Sequence, residues 1–244
     1  MNIESTEVSW KGLYRLGAIG ALLAVLAGIV EIGISFVPGA GQIGAGAVTV
    51  DGWFALFQQN WFIGLRNLGL INIFLTTCGL LISVAIYGAH RKVEPGLATL
   101  ATALSLIGGG VFFATNRAFA MLALSNQYAA ATTDAQRAIL LAAGQAMLAV
   151  GQSHTAGTFL AFCLSEIGSI LVGVVMLRGG VFGKFTAWAG ILGFAILLLY
   201  DIGSSFFPAL YVVAMYFAVP GGLLSMAWYI LTARRLLQLA KPAV

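Results

Sequence analysis

The sequence predicts an all-α protein, a polytopic transmembrane six-helix bundle built from helical hairpins. Three observations carry that expectation. Six apolar runs, near 13–36, 65–88, 97–120, 155–177, 186–207 and 209–232, each have the length of about 20 residues that a helix needs to cross hydrocarbon. Of the 244 residues 60% are hydrophobic and 8% charged, with a mean hydropathy of +0.98, whereas soluble chains carry roughly a quarter charged residues. The charges are also sorted by side. With the N-terminus inside, the inner face holds Lys11, Arg15, Arg91, Lys92, Arg178, Lys184, Arg234, Arg235 and Lys241, and the outer face only Arg66, Arg117 and Arg137. This asymmetry predicts cytoplasmic N- and C-termini under the positive-inside rule. The pI near 9.3 is thus a topology signal with a residual pull toward anionic lipid, and nucleic-acid binding has no support. No soluble domain fits between the spans, and the chain reads as one transmembrane domain, 1–244.

The first span should run uncleaved from about residue 13, after a polar, frayed start over 1–10, to Pro38. A glycine-rich loop over 39–47 follows, with little conformational preference of its own. Asp51 then opens a short helix over about 51–61 with Trp53, Phe54, Phe57 and Trp61 on one face. That pattern predicts a helix lying in the outer interface, aromatic face on the bilayer, or one that covers a cavity between spans. The second span opens with Arg66, Asn67 and Asn72. The third carries Gly108, Gly109 and Gly110, where a neighbouring backbone could approach closely, and ends near Asn116 and Arg117.

Thr133-Asp134-Ala135-Gln136 matches a capping box, in which Thr and Gln side chains satisfy each other's free amides at a helix start. It predicts a second outer-face helix over about 134–150. The sequence leaves open whether this helix is continuous with the fourth span. The fifth span is turned directly into the sixth by Pro208.

Internal repetition is the other organising feature. Glu31-Ile32-Gly33-Ile34-Ser35-Phe36-Val37-Pro38 returns as Asp201-Ile202-Gly203-Ser204-Ser205-Phe206-Phe207-Pro208. Each copy ends an apolar run and places a carboxyl group at the same membrane depth, roughly 22–24 Å from the inner boundary at 1.5 Å per residue. A charge placed in hydrocarbon costs about 2.5–3.5 kcal/mol on insertion scales, so these acids need partners, water or protons. Arg66 and Arg117 could reach down to them as salt bridges. Glu166 lies nearer the midplane, with no basic residue at its depth on its own helix. Ser169, Thr76 or Thr77 could bond it. The candidate ligand or ion pocket therefore comprises Glu31, Asp201, Glu166, Arg66, Arg117, Asn116 and His154, all but Glu166 in the outer half.

No catalytic constellation is legible: there is no Ser-His-Asp order, nucleophile elbow or phosphate loop. His90 falls inside and His154 outside, so the two cannot join in a zinc triad or a bis-His haem site. No cofactor is implied. Cys78 and Cys163 lie within spans without ligand spacing and read as buried thiols.

Gly12-Leu13-Tyr14-Arg15 before the first span, Asn116-Arg117 after the third, and Leu177-Arg178 with Phe182-Gly183-Lys184 leading into Ala187-Trp188-Ala189-Gly190-Ile191-Leu192-Gly193 carry a resemblance. The chain resembles a family of uncharacterised bacterial six-helix membrane proteins known by a domain-of-unknown-function label. Gly183-Lys184-Phe185 stands where that family usually has Pro-Arg-Trp. The resemblance implies a prokaryotic cytoplasmic (inner) membrane, and no activity or site residue.

The leading expectation is a non-catalytic membrane protein with a polar outer-leaflet pocket that binds or translocates a small or amphipathic molecule. Its partners would be the bilayer, a lipid or small amphipathic ligand, and other membrane proteins or copies of itself. An accessory subunit of a larger membrane complex, in which the acids only lock helix packing, is the first alternative. An intramembrane enzyme is the second.

Overall fold

The computed structural model describes residues 3–35, 49–152 and 154–241. These form ten α-helices: α1 (Ile3–Ser35), α2 (Val50–Gln59), α3 (Trp61–Asn67), α4 (Leu70–His90), α5 (Pro95–Thr115), α6 (Ala118–Ala130), α7 (Asp134–Gly151), α8 (Phe159–Gly179), α9 (Lys184–Phe206) and α10 (Tyr211–Leu239). A 3-10 turn, Pro208–Leu210, joins the last two, and no strand occurs among the described residues. The Pro38 stop and the glycine-rich loop over 39–47 lie outside the described residues. Helices α1, α4, the α5–α6 stretch, α8, α9 and α10 are long and apolar enough to cross a bilayer. The chain is a multi-pass membrane protein.

The six spans pack as a closed ring. α1 lies on α4, α4 on α5, α5 on α8, α8 on α9, α9 on α10, and α10 returns to α1. Close approach follows from small residues. A Cβ on Gly108 would stand 2.6 Å from Ser165 Oγ, and one on Gly168 would stand 2.6 Å from Ser105 Oγ. The Ser105/Gly108 step of α5 thus meshes with the Ser165/Gly168 step of α8, backbone against backbone, as small residues allow in membrane bundles. Gly109 faces Leu80 of α4, whereas Gly110 faces open space.

One end of the ring carries the α4–α5 and α8–α9 turns and most of the basic residues; we refer to it as the basic end. Arg91 stacks over Trp10 at 4.1 Å, and Arg235 Nε donates to the Val181 carbonyl at 2.7 Å. His90 is fully buried there, bonded to the Ile86 carbonyl at 2.9 Å and stacked on Phe182. The apolar core in this half is contiguous, from Ile82 and Ile86 through Val172, Val175 and Met176 to Trp228 and Leu236.

The opposite end is covered by α2, α3, α6 and α7, and here the structure departs from the sequence expectation. The aromatic face of α2 does not lie on lipid. Trp53, Phe54 and Phe57 are buried with Met121 of α6 and Leu148 of α7 in a second apolar core, and only Trp61 remains exposed. Polar groups align that packing. Ser125 Oγ donates to the Phe54 carbonyl at 2.9 Å, and Gln58 Nε2 reaches Ser125 and Asn126 at 3.0 and 3.1 Å. The cap of α2 is Thr49 rather than Asp51.

Two expected spans are also shorter than their apolar runs. The run over 65–88 breaks at Gly69, whose φ of 96° is left-handed and suits glycine. The run over 97–120 is interrupted at Asn116 and Arg117, between the end of α5 and the start of α6 at Ala118. α1, conversely, starts at Ile3, so residues 3–10 are helical where a frayed start was expected. The capping box forms as the motif requires: Gln136 N donates to Thr133 Oγ1 at 3.2 Å, and Thr133 N donates back to Gln136 Oε1 at 3.3 Å.

Candidate functional site

A cavity of about 390 Å³ occupies the middle of the ring, lined from α4, α5, α8, α9 and α10 and by His154. On α4 it runs from Asn72 to Ser83, which at 1.5 Å per residue is roughly 16 Å along the axis. Thr76, Gly79, Leu80 and Ser83 are successive wall positions on that helix, a stripe with helical spacing.

The end of the cavity nearest the cap is organised by the break between α7 and α8. α7 stops at Gly151, so it is not continuous with the fourth span. The segment that follows is pinned by hydroxyls: Thr155 Oγ1 and Thr158 Oγ1 both donate to the Gln152 carbonyl, at 2.6 and 2.9 Å. Held in this loop, His154 has a φ of 55°, a left-handed conformation that non-glycine residues enter seldom and that clusters at functional sites. Its ring lies between Phe162, stacked at 4.8 Å, and Tyr200, tilted at 4.9 Å. Its Nδ1 is 2.5 Å from Asp201 Oδ1. Asp201 is only 2% exposed, one residue after Tyr200 on α9.

Glu166 stands deeper on α8 and is 8% exposed. Its carboxyl neighbours that of Asp201, and its Oε2 is buried with no hydrogen-bond partner. The expected help from Ser169 is absent, because that hydroxyl donates to the Ser165 carbonyl of its own helix at 2.9 Å. Ser105 is likewise bonded to Ala101 at 3.0 Å.

Of the candidate residues, Asp201, Glu166 and His154 therefore meet in one cavity, and four stand elsewhere. Glu31 and Arg66 form an ion pair between α1 and α3, with Nη2 to Oε1 at 2.6 Å and Nε to Oε2 at 3.0 Å. The Arg66 side chain is fully buried and also donates to Asn67 at 3.1 Å. Neither residue lines the cavity. Asn116 is a joint: Nδ2 donates to the Leu68 carbonyl at 3.1 Å while Oδ1 accepts from Ala118 N at 3.1 Å, tying the α3–α4 break to the α5–α6 break. Arg117 packs beside Gly151. It does not reach Asp201; His154 takes that place.

Tyr200, Tyr229 and the wall serines Ser83, Ser105 and Ser165 belong to the site without having been marked out in the sequence. The small and polar positions Thr76, Gly79 and Ser83 at helical spacing on α4, and a Tyr directly before an intramembrane Asp, were the available signals.

Among the described residues, no group of three or more His, Cys, Asp or Glu side chains is arranged to hold a metal ion. No curated protein and no solved structure matches the chain. Residues 58–231, from the end of α2 into α10 and including every helix that lines the cavity, match the family described as Domain of unknown function (DUF4386), and the chain belongs to that family.

Proposed function

We propose that the protein binds a small or amphipathic molecule in the cavity at the centre of its six-span ring, and presents or translocates it across one leaflet. The observation that carries this reading is the buried Glu166 carboxyl, its Oε2 without a hydrogen-bond partner, beside the His154–Asp201 pair in a cavity of about 390 Å³. Ligand sites of small molecules are mostly apolar concavities of about 300–1,000 Å³ with a few convergent polar groups, and intramembrane ionisable residues mark ligand and ion paths by default. A bundle needing only rigidity would gain from filling such a space with side chains, since voids cost packing energy.

In this reading the basic end faces the cytoplasm of a prokaryotic cell, with both termini there, and the covered end faces outward. α1 with α4 and α9 with α10 are then two copies of one hairpin. Each copy meets its acid with a basic or imidazole partner: Arg66 for Glu31, His154 for Asp201. The Glu31–Arg66 pair, which stands apart from the cavity, favours a second reading in which the acids fix packing within a larger complex.

Native mass spectrometry of protein extracted gently from its own membrane tests the binding reading, with Gly79→Leu as the paired variant. Gly79 lines the cavity, and a Cβ built there meets nothing within 4 Å, so a leucine starts without a clash and extends into the cavity space. We expect a small molecule or lipid in one-to-one ratio on the natural chain and its loss from the variant. Additional polypeptides with no small ligand would favour the subunit reading.

A further inference from the structure

We propose that the cavity is a site for a small organic ammonium ion, ideally one carrying an aromatic or other flat apolar group. The inference rests on the binding reading above and names the chemistry that the site would select.

The charge inventory of the wall is one-sided. Two carboxyl groups, Glu166 and Asp201, and one imidazole, His154, line it, and no lysine or arginine does. The arginines of the covered end stand off the cavity wall: Arg66 is engaged by Glu31, and Arg117 packs against α7 at Gly151 with its Nε unbonded. His154 engages one oxygen of Asp201, and nothing among the described residues bonds Glu166 Oε2. A buried carboxyl is held at a cost unless a donor or a cation meets it. An ammonium group supplies both: positive charge and N–H donors.

The rest of the wall suits the remainder of such a ligand. Phe162, Phe194, Tyr200 and Tyr229 present rings from three helices, and aromatic faces attract cations through their quadrupole, most strongly where water is excluded. The volume of about 390 Å³ is far more than a bare inorganic ion needs, since a water molecule occupies about 30 Å³. A neutral ligand would bring no charge to the carboxyl pair, and a carboxylate ligand would add a like group beside it. The expected order of affinity is therefore ammonium, then neutral, then anion.

A charge series of near-isosteric probes tests this on the full chain in zwitterionic lipid nanodiscs: benzylammonium, benzyl alcohol and benzoate, titrated calorimetrically at matched ionic strength. We expect benzylammonium to bind saturably, one per chain, and the other two more weakly by about tenfold or more, since one charge-assisted hydrogen bond is worth that factor. Glu166→Gln should lower benzylammonium affinity by about tenfold on the same basis, with a melting curve close to that of the natural chain reporting that the variant is folded. Asp201→Asn, tested alongside, should act in the same direction. Equal or tighter binding of benzyl alcohol or benzoate would overturn the cation assignment, as would no binding of any probe. If the alcohol or benzoate binds and Gly79→Leu abolishes it, the cavity remains a binding site of another preference. If no probe binds and nothing travels with the extracted protein, both readings fall together.

Discussion

His154 Nδ1 lies 2.5 Å from Asp201 Oδ1, joining a left-handed loop residue to a carboxyl near the end of α9 across 47 residues of sequence. The contact closes the covered end of the ring over the cavity, and it sets two elements against each other that no other hydrogen bond among the described residues connects. His154→Ala leaves Asp201, 2% exposed, without that partner. The expected loss is about 1–3 kcal/mol, the cost of orphaning a buried hydrogen-bonding group. The pair should also be coupled: the double variant His154→Ala/Asp201→Ala should cost less than the sum of the singles, by about 0.5–3 kcal/mol. Equilibrium unfolding in detergent measures both quantities, and strict additivity would mean that the contact does not exist in solution.

The mesh of α5 with α8 sets the width of the cavity, because Ser105 and Ser165 belong both to that mesh and to the wall. Gly168→Ala would bring a Cβ to 2.9 Å from the Ser105 backbone nitrogen, and backbone cannot swing aside. Overpacking of this kind costs about 1–3 kcal/mol. Gly110→Ala, on the partner helix α5 and facing open space, should be neutral or slightly stabilising by helix propensity. A thermal-denaturation comparison of the two variants reads the difference directly.

The capping box at the start of α7 predicts a small local effect. Thr133→Ala removes the acceptor of the Gln136 amide and should cost about 1 kcal/mol. Protease susceptibility near residues 131–136 should rise, while binding in the cavity, which α7 does not line, should be unaffected. A change in binding would show that the cap and the cavity are coupled.

The six spans were legible because run length alone selects a membrane helix, and the capping box because it is a local motif whose partners lie three residues apart. The breaks at Gly69 and Asn116 were hidden. Polar residues at span ends read as interfacial anchors, and nothing local says that Asn116 reaches back to the Leu68 carbonyl. The face of α2 was misjudged for a related reason: Trp53, Phe54 and Phe57 form the same apolar stripe whether lipid or protein covers it. Asp201, Glu166 and His154 stood out as ionisable groups in an apolar chain. Glu31 stood out equally, and its match in depth to Asp201 suggested one pocket for both. Depth does not fix the direction a helix faces, and α1 turns Glu31 toward Arg66 instead.

That separation allows the packing role and the binding role to be distinguished by two charge-neutralising changes made in parallel. Glu31→Gln leaves Arg66, always charged and fully buried, without its carboxylate, at an expected cost of about 3 kcal/mol or more. Asp201→Asn keeps the shape and hydrogen-bonding capacity of the side chain against His154 and removes its charge from the cavity. Native mass spectrometry of both variants, with a melting curve for each, is the measurement of first choice. We expect Glu31→Gln to melt markedly earlier while retaining the bound small molecule, and Asp201→Asn to melt close to the natural chain while losing it. Equal destabilisation by both, with no difference in what each retains, would contradict a ligand cavity and leave the acids as packing elements alone.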